Sequence, residues 1–244
     1  MPSKMKVRQF LFWNLIIVPN WLFAQTNVDS IISKYIDFIG GDAKWKAVKT
    51  ITITGTYNYG GIQFPFTSFA KAPNKYKYIV PSGNKYFAQG FDGTRGWKID
   101  KFKNETTPTI LNGAPARAMA NESDVELLNP FIDYKKRGYL LEDAGVDTVD
   151  GILCTRLKLT RPGEDTGFYD IKKTDGQLLK KQIRSKNVEM DGSIIDIYYS
   201  DYRPEEGTYI AHKSVVKVKD QTILVITIDK VAFNLEIPDK EFQP

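Results

Sequence analysis

The sequence predicts a mainly β (α+β) fold: an antiparallel sandwich or barrel of about 10–11 strands, with an N-terminal helix and a helical insert. Three observations carry this. Apolar residues alternate with period two in run after run from Ile51 to the C-terminus. The runs are parted by turn pairs, Gly60-Gly61 and four Asp-Gly dipeptides among them. One stretch near the middle switches to helical spacing. No linker, solenoid-length repeat or low-complexity tract divides the 244 residues, which read as one domain, residues 26–244, behind a targeting segment.

That segment, residues 1–25, reads as a cleaved secretory signal. Lys4, Lys6 and Arg8 precede an apolar run from Phe10 to Val18, and Pro19-Asn20 breaks it before Trp21-Leu22-Phe23-Ala24-Gln25. The run is short for a membrane span, which needs about 20 residues. Cleavage is expected after Ala24 or Gln25. The formal charge of +5 comes from 34 basic and 29 acidic residues; removing the three basic residues of the segment leaves 31 against 29, or +2. Nucleic acid is a poor partner for so balanced a chain without a basic stripe. Cys154 is the one cysteine, so no intramolecular disulfide forms, and no cysteine stands at the cleavage point to be lipidated. The expected location is the periplasm: exported, soluble, not lipidated.

Asp29 is placed to cap a helix whose stripe is Ile32, Tyr35, Ile36 and Ile39; Gly40-Gly41 stops it, and Asp42 is placed to cap a shorter continuation through Trp45 and Val48. Ile51, Ile53, Tyr57 and Tyr59 then share one strand face opposite threonines. After Gly60-Gly61 come Ile62, Phe64 and Phe66, then Tyr76, Tyr78 and Val80, then Phe87 and Phe91. Asp92-Gly93 favours a tight type I′ turn into a strand carrying Trp97 and Ile99. From about residue 112 to 138 the pattern is helical. Ala114–Ala120 follows the helix-start rule for proline, Ser123 and Glu126 form a capping box, Asn129-Pro130 opens a further turn, and Gly138 ends it. Strands resume around Asp150-Gly151, Asp175-Gly176 and Asp191-Gly192, and two long ones, Thr208 to Lys219 and Thr222 to Phe233, flank Asp220-Gln221.

Catalytic chemistry is hard to find. His212 is the one histidine and shares a strand face with Ile210, Ser214, Val216 and Val218, which suits a core or cavity wall; no nucleophile motif accompanies it. One histidine and one cysteine make a poor transition-metal site, and Cys154, between Leu153 and Thr155, reads as a structural thiol. Asp92, Asp150, Asp175 and Asp191 precede glycines and belong to turns. A cross-strand carboxylate pair is the one hydrolase reading left. The expectation is therefore no enzyme, no metal and no cofactor. What remains is an unusually aromatic sheet face: Tyr57, Phe64, Phe66, Tyr76, Tyr78, Phe87, Phe91 and Trp97 are the candidate ligand-contact residues, with core filling as the competing role of each.

The order of several short motifs resembles the periplasmic lipoprotein carriers (LolA/LolB-like) and their outer-membrane lipoprotein-sorting relatives. They are Ile39-Gly40-Gly41-Asp42-Ala43-Lys44-Trp45 before Val48-Lys49-Thr50-Ile51; Phe91-Asp92-Gly93 with Trp97 and Asp100; Leu128 to Lys135 with Gly138; Val149-Asp150-Gly151 leading into Cys154–Thr160; and the close from Phe233 to Pro244. The resemblance implies a curved, antiparallel, incomplete β-barrel whose concave face is closed by the N-terminal helix and the helical insert, around an apolar cavity for acyl chains. The missing lipidation cysteine is similar to the soluble carrier rather than the anchored acceptor. On this reading Ile32, Tyr35, Ile36 and Trp45 belong to a helical lid, and Arg95 and Arg117 are candidates for an arginine that locks it. The implied ligand is a lipid or lipoprotein acyl chain, bound by a monomer. The alternative is a module of the same fold that docks an envelope membrane-protein partner or senses envelope stress.

Overall fold

A computed structural model describes residues 21–162, 165–185 and 192–244. Most of the expected export segment, residues 1–20, lies outside the described residues, as do Asp191 and the loop residues Gly163-Glu164. Helices α1 (Trp21–Phe38) and α2 (Asp42–Ala47) lead into β1 (Thr50–Tyr59), β2 (Ile62–Lys71), β3 (Lys75–Ser82), β4 (Lys85–Phe91), β5 (Gly96–Asp100) and the two-residue β6 (Thr109–Ile110). Helix α3 (Gly113–Leu128) follows. Then come β7 (Leu140–Val149), β8 (Ile152–Arg161), β9 (Asp165–Lys172), β10 (Leu178–Arg184), β11 (Ile194–Glu205), β12 (Thr208–Val218) and β13 (Gln221–Phe233).

All thirteen strands form one antiparallel sheet, ordered β6-β5-β4-β3-β2-β1-β13-β12-β11-β10-β9-β8-β7. Two meanders are thus joined through the pairing of the first strand with the last, and β6 and β7 stay as free edges of an unclosed barrel. The expected 10–11 strands become thirteen, and the weakest patterns are at the edges: β6 has two residues, and β7 is mostly exposed and bulged between Asp143 and Val146. Chain order forces the curvature. The segment from β6 to β7 must pass from one edge to the other, and a flat sheet of this size would be about 58 Å wide at 4.8 Å per strand. Helix α3 supplies only about 24 Å at 1.5 Å per residue, and residues 129–138 are wound into turns. The edges must therefore curl toward one another, and one buried cluster duly joins Tyr76 and Phe91 to Leu157 and Tyr169 across the sheet.

α1 fills that curl with the stripe its sequence announces: Val28, Ile32, Tyr35 and Ile39 are each under 5 % exposed. Gly40 and Gly41, at φ 105° and 97°, end it. Three expected caps are not caps. Asp42 is the first residue of α2, with Gly41 at the N-cap position, and its carboxylate pairs with Lys46 one turn on at 2.6 Å. Asp29 lies inside α1, because no glycine or proline interrupts Trp21–Val28; its carboxylate accepts from Tyr134 Oη (2.7 Å) and pairs with Lys135 Nζ (2.7 Å). Ser123 lies inside α3, which runs unbroken beyond Pro115, and its hydroxyl donates back to Ala120 O at 2.7 Å. Nor is Asp92-Gly93 a two-residue turn: strand pairing stops at Phe91 and Gly96, and Asp92 Oδ1 accepts from the amides of Thr94 (2.8 Å) and Arg95 (2.7 Å).

Candidate ligand-binding face

Directly paired residues of an antiparallel ladder share a face, so the register places each candidate. Tyr57 pairs with Phe64, Tyr76 with Ala70 and Phe91, Tyr78 with Ser68, and Phe87 with Val80. Phe66 pairs with Gly55. Seven of the eight aromatic candidates therefore lie on the helix-bearing face. Tyr78 sits among them, its ring centroid 5.6 Å from that of Phe66 and 6.3 Å from that of Tyr57. A Cβ on Gly55 would stand 2.7 Å from Phe66 Cε1 and 2.1 Å from Thr227 O, so only glycine lets that ring lie flat on the strand.

Depth divides the seven. Phe66, Tyr76 and Phe91 are 6–9 % exposed and fill the core. Tyr57, Phe64, Tyr78 and Phe87 are half-buried. Burial pushes the phenols of Tyr57 and Tyr78 up, and the Tyr78 hydroxyl is buried without a hydrogen-bond partner.

Trp97 stands apart. It pairs with Gly90 on the opposite face, packs with Ala88 and Ile99, and donates Nε1–H to Phe242 O at 2.8 Å. The C-terminal strap holds it there: Asp239 pairs with Lys71 (2.8 Å) and Lys75 (2.7 Å), and Glu241 with Lys77 (2.7 Å). Trp97 is core of the outer face, so it lines nothing that α1 or α3 could cover.

Of the lid candidates, Ile32, Tyr35 and Trp45 are buried in the main cluster with Ile36 packed against it. Tyr35 meets Phe131 edge-on at 5.0 Å, and Trp45 meets Phe233 at 6.2 Å. Arg95 does not reach them: its side chain is 62 % exposed and pairs at 3.6 Å with Asp92, in its own turn. Arg117 is exposed. The arginines that touch the helical insert are others. Arg161, 6 % exposed, donates Nη1–H to Asn121 O of α3 at 3.5 Å, and Arg137 donates to Asn129 O (3.2 Å) and Ile132 O (3.3 Å). Before Pro162 Arg161 reads as a loop residue; its alternation with Leu157 and Leu159 is the signal that puts it on the core face.

Between the regions that α1 and α3 cover runs a strip of the same face. One row is Tyr169–Lys181–Ile197–Val216–Leu224; the next is Tyr199–Ser214–Ile226–Tyr57–Phe64; beyond the first, Ile183–Ile195–Val218 forms a third. Except for the buried Tyr169 and Val216 these side chains are half-buried, and the rim at the β1–β2 turn carries Tyr59 (59 % exposed) and Ile62 (61 %). This is apolar surface that the described helices leave part-open.

His212, Cys154 and Asp170 are buried outside these rows. His212, 1 % exposed, donates Nδ1–H to Ile228 O (3.0 Å), and its Nε2 lies 2.9 Å from Glu205 Oε1. Cys154 is fully buried, and burial pushes its thiol up. On the outer face Asp170, fully buried, is flanked by Lys180 (3.2 Å) and Arg156 (3.6 Å), both of which also pair with Asp147. Of two hollows, one of about 350 Å³ lies between α1 and β7–β9 beside Ser30, Lys34 and Ile171, and one of about 370 Å³ lies on the outer face beside Leu179, Tyr198 and Val215; the aromatic cluster lines neither. Among the described residues no group of three or more His, Cys, Asp and Glu side chains is placed to hold a metal, and no helix is long and apolar enough to cross a membrane.

No protein-family model and no curated protein matches the sequence. Solved structures do match in fold. A DUF1329 family protein from Desulfovibrio piger superposes with a TM-score of 0.60 at 13 % identity, over 88 % of this chain and 97 % of that one. A LolA superfamily protein from Nitrosomonas europaea gives 0.57 at 12 %, over 89 % and 97 %. A domain described as an outer membrane lipoprotein-sorting protein from Vibrio parahaemolyticus gives 0.56 at 9 %, over 87 % and 97 %. At such identities the likeness is one of fold alone: the chain shares its architecture with these three proteins.

Proposed function

We propose that this chain is a non-enzymatic binding protein of the cell envelope, exported and soluble in the periplasm, that holds the acyl chain of a lipid or lipoprotein against the helix-bearing face of its sheet. The observation that carries this reading is the strip of half-buried apolar rows running from Ile183 and Ile197 to Tyr57 and Phe64, with the aromatic cluster at its end. Apolar surface of this extent, rimmed by exposed Tyr59 and Ile62, is the kind a protein keeps for an apolar partner. The fold shared with LolA superfamily proteins supports the same reading, as does the export pattern of the N-terminus.

In this role Phe66, Tyr76 and Phe91 build the floor, and Tyr57 and Phe64 touch the ligand. α1 and α3 are the elements that admit or cover it. The test is native mass spectrometry and lipid extraction of the protein purified from periplasm, together with titration of a fluorescent acyl probe. Bound lipid and saturable probe binding are expected, with the Tyr57→Ser/Phe64→Ser variant losing roughly fivefold in affinity, about 1 kcal/mol, at unchanged far-ultraviolet circular dichroism. A protein that carries no lipid, binds no acyl probe and co-purifies with a stoichiometric membrane-protein partner would overturn this reading in favour of partner docking.

A further inference from the structure

The strip contains one cation. Lys181 occupies the first row, register-paired with Tyr169 on one side and Ile197 on the other, and the row continues through Val216 to Leu224. Its side chain is half-buried, and its ammonium lies 5.9 Å from the centroid of the Tyr169 ring. It forms no ion pair with any described carboxylate, whereas its neighbour Lys180, on the opposite face, pairs with both Asp147 (3.2 Å) and Asp170 (3.2 Å). Tyr169, 1 % exposed, adds a second polar group without a partner: its hydroxyl is buried and makes no hydrogen bond. A half-buried lysine on an apolar row, its ammonium beside a ring and unpaired with any described carboxylate, is placed to meet an arriving anion.

Position strengthens the point. The helix-packed end of the sheet holds Ile51, Leu178 and Phe233 in the main core, and the other end holds Tyr59, Ile62 and Ile194 at the surface. Lys181 sits between them, where the filled core gives way to the part-open strip. From β10 to β2 is five strand spacings, about 24 Å along the sheet, and every paired position of the second row over that course is uncharged.

We propose that Lys181 recognises the anionic head of a single-chain amphiphile, a carboxylate or phosphate, while the aliphatic chain lies along the rows toward Tyr57 and Phe64. This rests on the acyl-chain reading above and deepens it by naming the ligand class. The experiment uses the full mature chain and competition against cis-parinaric acid by its methyl ester, palmitate, hexadecanol, lysophosphatidate and lysophosphatidylcholine.

The acid should bind about tenfold tighter than the neutral ester, the order of one charge-assisted hydrogen bond. Lys181→Met should remove most of that difference while leaving ester affinity within about twofold, and Lys181→Arg should keep it. Preference for palmitate alone would assign a carboxylate head; preference for lysophosphatidate over lysophosphatidylcholine would assign a phosphate. Equal binding of acid and ester by the unaltered protein, or parallel losses of both in Lys181→Met, would overturn the proposal while leaving acyl binding intact. Failure of every chain to bind would instead strike the acyl-chain reading itself.

Discussion

Replacing Trp97 with alanine separates core from binding surface most sharply. The ring is 2 % exposed, packs between Ala88 and Ile99, and lies across Gly90, where a Cβ would stand 2.9 Å from its Cζ2. Truncating so enclosed a ring costs about 3–5 kcal/mol. Its Nε1–H also supplies the donor for Phe242 O, 2.8 Å away, and leaving that carbonyl without a partner adds about 1 kcal/mol or more. For a chain of this size the loss corresponds to a fall in Tm on the order of 10 °C. Urea denaturation followed by circular dichroism should show the midpoint drop at unchanged m-value. Trp97→Phe should recover most of the packing but not the hydrogen bond, a loss of about 1–2 kcal/mol. Because Trp97 lies on the face opposite α1 and α3, the folded fraction of either variant should bind an acyl probe with unchanged affinity. A variant that kept its stability and lost the probe would refute the assignment of this ring to the outer-face core.

Two other outcomes follow from the same coordinates. Gly55→Ala should cost about 1–3 kcal/mol in denaturant melts, since the new Cβ meets Thr227 O at 2.1 Å as well as the Phe66 ring; Phe66→Leu should rescue it only in part, and full rescue would mean that the backbone contact is unimportant. Asp239 is held by Lys71 and Lys75 well below its usual 3.8, at about 2. A carboxylate whose folded pKa is depressed contributes stability above its unfolded pKa and loses it as pH falls through the folded one. Asp239→Asn should therefore lower the urea midpoint at neutral pH, with the gap to the unaltered protein shrinking as pH falls from about 4 towards 2; a gap undiminished at pH 2 would refute the strap's electrostatic origin.

Strand faces were legible because the period is two. Tyr57, Phe64, Phe66, Tyr76, Tyr78, Phe87 and Phe91 share a face, as the alternation of their runs requires. Trp97 falls outside this logic, because only aromaticity groups it with the others and a turn separates it from them. The loop at Asp92 takes four residues before pairing resumes at Gly96, so Gly96 faces the helices and Trp97 faces away. Helix interiors were legible too, from stripes such as Ile32, Tyr35 and Ile39. Their starts were not, because Asp29 and Ser123 are good caps that also tolerate mid-helix positions, and nothing before either of them breaks the helix.

By itself the sequence determined what is local: strand periodicity and the glycine stops after α1. Tertiary structure decided what depends on partners far along the chain. The pairing of β1 with β13, about 170 residues apart in the chain, puts the first and last strands at the centre of the sheet and sends α3 across its face. The same pairing puts Lys181 of β10 on the same face as Tyr57 and Phe64, in the adjacent row. No period in a sequence encodes which strand will lie beside which. That choice is made by the single curled arrangement in which the stripes of α1 and the 129–138 segment can all be buried at once.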